Sequence, residues 1–227
     1  MKTRLTVLLL FATVFSAFAQ YPVKTPTHYP TVQPAAEFHF NDGNIGHYPV
    51  MRISKDLVRV DVGGDQSMRM PLTYVNNIKF ADGCTLYFDK GEFQFDKLVL
   101  PARLKNESGD ALLEGVLKLS KSQTESLMGP ELYGEFRKNS RLIQFSLATM
   151  MTGTVMMAPF LGGCMECVFQ GTSPIEVYNS YPTGLKCVTV GGGVVLVAGV
   201  VMAFIGNNGC NRVVATYNDG LGLAYTF

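Results

Sequence analysis

The chain has no tryptophan and only three histidines, and neither of its two longest apolar runs contains Asp, Glu, Lys or Arg. Lack of tryptophan removes one usual anchor at a membrane–water boundary, leaving tyrosine and phenylalanine to serve. His28, His39 and His47 have no metal-ligand spacing, and H-E-x-x-H, G-x-S-x-G and phosphate-loop patterns are all missing. Asp and Glu are scattered over turns and strand faces with no pair suited to acid–base work. A net charge of +1 gives no electrostatic case for nucleic acid or an acidic partner. The sequence therefore names no reaction, and it implies no cofactor and no metal.

What the chain does have is two long apolar stretches near its C-terminus, from about Leu142 to Gly162 and from about Val188 to Gly206. At about 1.5 Å per residue, each is long enough to cross a hydrocarbon core of roughly 30 Å. The spacing predicts a transmembrane helical hairpin over 142–206 with a cysteine-containing loop at 163–187. In the second stretch Gly192, Gly199 and Gly206 recur at seven, and Ala203 lies one turn past Gly199. In the first, Ser146, Thr149 and Gly153 form a comparable face. Small residues let helix backbones approach closely in lipid, where packing replaces the hydrophobic drive. Pairing of these two faces is the simplest reading; association of copies through the glycine face is the sharper one. The lipid bilayer is the first expected partner, and a second protein or another copy of the chain is the next.

The N-terminus predicts export. Lys2 and Arg4 precede an apolar run from Leu5 to Phe15, and Ala17-Phe18-Ala19 is an A-x-A cleavage site, so residues 1–19 read as a signal peptide. No cysteine follows the site, which argues against a lipid anchor there. Residues 20–36 carry Pro22, Pro26, Pro30 and Pro34 and read as an extended tether. Over 37–104 the period is two, with turn signals at Val62-Gly63-Gly64-Asp65, Ala81-Asp82-Gly83 and Asp89-Lys90-Gly91. This predicts a small antiparallel sheet or open barrel. Residues 105–141 read as a loop at 106–110, a last strand at 111–119 and juxtamembrane helices. Ser120 and Gln123 form a capping box, Gly129 ends the first helix and Pro130 opens the next. Over 207–227 a helical turn or two leads into alternating Leu221, Leu223, Tyr225 and Phe227, a terminal strand. The fold class is thus α+β: a small antiparallel β-domain, short helices, a two-helix apolar hairpin and a C-terminal strand.

Possible chemistry is confined to the cysteines. Cys164 and Cys167 form a C-x-x-C, and Cys187 lies at the other end of the same loop. A redox role needs a thiolate stabilised by a helix N-terminus or a cation; Glu166 would oppose it. A structural disulfide from Cys164 or Cys167 to Cys187 fits better and would be worth on the order of 3 kcal/mol in the chain-entropy model. Cys84 and Cys210 are a second candidate pair.

Ile78-Lys79-Phe80-Ala81-Asp82-Gly83 followed by Leu86-Tyr87-Phe88 resembles a strand–turn–strand common in exported proteins of Bacteroidota. Leu119-Ser120-Lys121, then Leu127 to Tyr133, two apolar helices, Val213 to Asn218 and Gly220 to Phe227 resemble a group of their uncharacterised two-helix envelope proteins. That resemblance covers about two-thirds of the mature chain, implies an envelope location and carries no catalytic residues. The expected function is that of a non-enzymatic, membrane-attached envelope protein acting by protein contact or as a structural component. The alternative is a thiol–disulfide protein using Cys164 and Cys167. Orientation stays open: Arg137, Lys138, Arg141 and Arg212 flank the hairpin on the β-domain side, whereas the signal peptide would place that domain in the periplasm. An outer-membrane residence, joint insertion overriding the charge bias, and packing in a soluble assembly each resolve the conflict.

Overall fold

The computed structural model describes residues 35–63, 66–170 and 173–224. The expected signal peptide and almost all of the expected proline-rich tether lie outside the described residues. Among the described residues eleven strands come first: β1 Ala36–Phe40, β2 Ile45–Tyr48, β3 Val50–Ile53, β4 Leu57–Gly63, β5 Gln66–Pro71, β6 Val75–Lys79, β7 Thr85–Asp89, β8 Glu92–Phe93, β9 Leu104–Glu107, β10 Asp110–Leu113 and β11 Leu117–Lys118. Three helices follow: α1 Lys121–Gln170, α2 Pro174–Ser180 and α3 Thr183–Ala224. The order of strands then helices is that of an α+β protein.

The strands form two sheets, one in the order β2-β1-β6-β7-β8 and one in the order β5-β4-β3-β11-β10-β9. All pairings are antiparallel except β11 with β3. Period-two patterning is clearest in β4, where Val58 and Val60 are fully buried while Arg59 and Asp61 face out. The sheets share one core built on Phe38, Val50, Val58, Leu72, Ile78, Leu86 and Leu113.

Local chemistry sets the turns. Lys90-Gly91, Ser108-Gly109 and Glu114-Gly115 all have positive φ at both residues, the requirement of a two-residue primed turn. Asp42, Asp61 and Asp82 each accept from the amide two residues on, at 3.0, 2.8 and 3.1 Å.

Several expected boundaries are corrected. His47 to Ile53 alternates like one strand but is two strands in different sheets, because Pro49 has no N–H to give to a ladder. The period-two run expected through residue 104 breaks after the two-residue β8, giving a 3-10 turn over Phe95–Lys97 and an isolated bridge from Val99 to Thr85 before β9. The expected loop at 106–110 is mostly hairpin, since Ser108-Gly109 alone reverses the chain. The single strand expected at 111–119 is β10 and β11 joined by the tight turn at Glu114-Gly115.

Ser120 caps α1 reciprocally with Gln123: the Ser120 amide donates to Oε1 at 2.9 Å, and the Gln123 amide donates to the Ser120 hydroxyl at 3.3 Å. Gly129 interrupts the helix at φ 77° and ψ 164°, and Pro130 restarts it. From Pro130 the helix runs unbroken into the apolar stretch, so the expected juxtamembrane helix and the first apolar stretch are one rod. α3 is likewise continuous through Ala224, which corrects the expected C-terminal strand. Four alternating positions are too few to overrule a helix already propagated from 183 and docked at Tyr217 and Asn218. Tyr225 and Phe227 lie outside the described residues.

The candidate functional site: an inside-out hairpin and its junction

α1 and α3 pair antiparallel along small residues. A Cβ on Gly153 would meet the Leu196 backbone nitrogen at 2.6 Å and the Gly192 carbonyl at 2.8 Å. One on Gly192 would meet the Gly153 carbonyl at 2.9 Å, and one on Gly199 the Met150 nitrogen at 2.9 Å and the Ser146 carbonyl at 3.0 Å. Gly206 stands in the same relation to Asn139 and Ile143. These are backbone-to-backbone approaches that no side chain fits. Ser146 is 1% exposed in this seam, with Thr149 and Ala203 half-buried beside it. Because the glycine face is filled by the hairpin's own second helix, any association of copies would have to use another face.

Met150, Met156 and Met157 pack against the seam glycines, but many of the other bulky side chains point the other way. Val155 is 72% exposed, Phe145 67%, Met151 64% and Val194 62%. Val201 and Phe204 are also exposed. Hydroxyls within the rods are satisfied on their own helices: Ser146 donates to Ile143, Thr149 to Phe145, Thr152 to Ala148 and Thr154 to Met150 at 2.6–3.0 Å. Both helices are long and apolar enough to cross a membrane.

At the tip, most of the expected loop is helical: α1 runs on to Gln170, α2 takes Pro174–Ser180 and α3 begins at Thr183. Ser173, Pro174 and Glu176 make a capping box with proline at the first helical turn, a signal present in the sequence but not read from it. Tyr181 donates its hydroxyl to the Pro159 carbonyl at 2.7 Å, and Lys186 donates to the Asn179 carbonyl at 2.8 Å. Cys187 is an exposed free thiol near the start of α3. Cys164 and Cys167 fall on the last turns of α1, and their side chains lie outside the described residues.

The opposite end of the hairpin enters the β-domain's core through Tyr133, Phe136, Cys210, Val213, Val214 and Tyr217. Asn218 accepts from the Leu104 amide at 2.9 Å and donates to the Leu104 carbonyl at 2.8 Å, closing the edge left open by β9. Asn106 donates to Asn207 and Asn211 at 2.9 and 2.8 Å. Sequence reasoning missed this polar junction, because its partners lie more than a hundred residues apart.

Cys84 and Cys210 are buried free thiols with different neighbours. Cys210 lies against the Phe136 carbonyl at 3.7 Å. Cys84 sits by Glu114 and Asp82. Burial pushes its thiol far up, and Glu114 and Asp82 push it further, so it stays protonated and is no nucleophile. Glu114 accepts from the Arg103 amide at 2.6 Å. Burial, opposed by that amide and reinforced by Asp82, raises its carboxyl from an ordinary 4.5 to about 7. The folded chain thus keeps a proton that the unfolded chain releases, so stability falls as pH rises from about 4.5 to about 7 and is level above. Glu114→Gln flattens that slope, as read from denaturant midpoints across the same pH range. Among the described residues, no group of three or more His, Cys, Asp or Glu is placed to hold a metal ion.

No protein-family model, no curated protein and no solved structure matches the chain.

Proposed function

We propose that the chain is a non-enzymatic, membrane-anchored protein of the cell envelope, with the α1–α3 hairpin crossing a bilayer and the β-domain held at its surface to act by contact with another protein or as an assembly component. The supporting observation is the distribution of side chains: glycine, Ser146 and three methionines fill the seam while Phe145, Met151, Val155 and Val194 face outward. In water that arrangement would leave a large apolar surface uncovered; in lipid it is the ordinary one. The signal-peptide pattern at residues 1–19 supports export, with the β-domain on the periplasmic side. The rigid junction at Asn106, Asn207, Asn211 and Asn218 supports a role as a display platform, because it fixes the β-domain to the rods.

The test is sidedness in sealed vesicles. In a chain with Cys164 and Cys167 replaced by serine, Cys187 is the one exposed thiol among the described cysteines. A membrane-impermeant maleimide should reach it only from the side opposite the β-domain, located by protease. Labelling from the β-domain's own side would contradict a crossing hairpin.

A further inference from the structure

Where the apolar run begins, α1 carries Arg137, Lys138 and Arg141 around an open cleft of about 320 Å³. Gly134, Asn139, Leu142 and Phe145 complete its lining, and no acidic side chain is among them. The three cations are exposed, and none is ion-paired among the described residues. Gly134 leaves open space where a side chain would stand: nothing lies within 4 Å of a Cβ built there. Lys138, Arg141 and Phe145 follow at helical spacing, so the cleft runs along one face from charge into apolar surface. The β9–β10 turn meets the helix at the same level, since a Cβ on Gly109 would lie 3.0 Å from the Ser140 hydroxyl and 3.2 Å from Ile143.

We infer that this cleft binds the phosphate headgroup of an anionic phospholipid, with Arg137, Lys138 and Arg141 on the phosphate and an acyl chain descending past Leu142 and Phe145. The inference rests on the hairpin's crossing a bilayer. Three features favour a lipid over a free phosphate. The cations are open to the surface, the apolar half of the cleft continues into the outward face of the rod, and the cleft sits where the charged stretch ends. Arginine contributes planar, paired donors suited to phosphate, and lysine a point charge. Each basic residue near an anionic surface strengthens attraction by roughly fivefold.

The test uses the full chain in phosphatidylcholine vesicles containing a minority of phosphatidylglycerol, with spin-labelled lipids reporting which species contacts the protein. The expected result is a preference for phosphatidylglycerol on the order of fivefold or more, reduced to near parity by the triple variant R137Q/K138Q/R141Q. K186Q, at the far end of the hairpin, should keep the preference. No preference in the parent chain, or an equal loss in K186Q, would overturn the cleft as the site. Loss of the preference on adding inorganic phosphate at constant ionic strength would overturn the lipid in favour of a soluble phosphate. Flotation on pure phosphatidylcholine separates the two claims: a chain that floats without preferring phosphatidylglycerol contradicts only the cleft, and one that does not float contradicts the hairpin reading.

Discussion

Gly199→Leu should separate the two helices, while Gly134→Leu and Gly162→Leu should leave them paired. At Gly199 even the first added carbon would lie 2.6 Å from Met150 Cγ, 2.9 Å from its backbone nitrogen and 3.0 Å from the Ser146 carbonyl. Met150 can turn its side chain away; the two backbone atoms cannot move unless the rods move. Overpacking a tight contact costs about 1–3 kcal/mol, and backbone obstruction belongs at or above the upper end. At Gly134 and Gly162 a Cβ meets nothing within 4 Å, so the larger residue should cost no more than a surface substitution and gains helix propensity over glycine. Detergent-induced unfolding of the reconstituted chain, followed by far-UV circular dichroism, reads the difference. Equal effects at the three positions would show that the seam does not set the pairing.

Val155→Arg and Val194→Arg should each prevent stable insertion, although both residues touch little else in the protein. Val155 is 72% and Val194 62% exposed. If water covered these faces, a charged residue there would change stability by no more than about 0.5 kcal/mol and would improve solubility. In the middle of a bilayer the same residue costs about 2.5–3.5 kcal/mol of insertion. Phe145→Arg, close to the basic end of the run, should be milder because an arginine there can reach the headgroups. A graded loss of membrane-bound chain, steepest at the middle of the apolar runs, is the expected outcome of carbonate extraction across the three variants. Unchanged retention, or a gain in soluble protein with full β-structure, would favour a water-exposed helix pair.

Much of the local architecture is legible in the sequence because its causes are local. The Ser120–Gln123 cap, the break at Gly129 and the restart at Pro130 depend on residues a few positions apart. So do the turns at Asp82-Gly83 and Lys90-Gly91. The glycine spacing of seven is visible as a face because a helix brings positions two turns apart into line. What escapes depends on distant partners. Pro49 marks a break, but which sheet each side joins is set by distant partners, and nothing near Leu221 says that α3 is held helical by Asn218 on Leu104. The apolar runs define where the rods are greasy but not where they end; α1 and α3 extend well past them into the β-domain's core. The cysteines mislead in another way, since their number invites pairing while Cys84, Cys187 and Cys210 stand as free thiols in separate surroundings.

The central claim is that the outward faces of α1 and α3 meet lipid. Spin labels placed singly at Leu147, Met151, Val155, Val194 and Val201 in the reconstituted chain test it most directly. Lipid-facing helices give strong collisional broadening by oxygen and little by a water-soluble nickel chelate, with depth greatest near the middle of each apolar run and a label at Gly134 reporting water. Access of the nickel chelate to Val155 and Val194 at the level of Gly134 would contradict it.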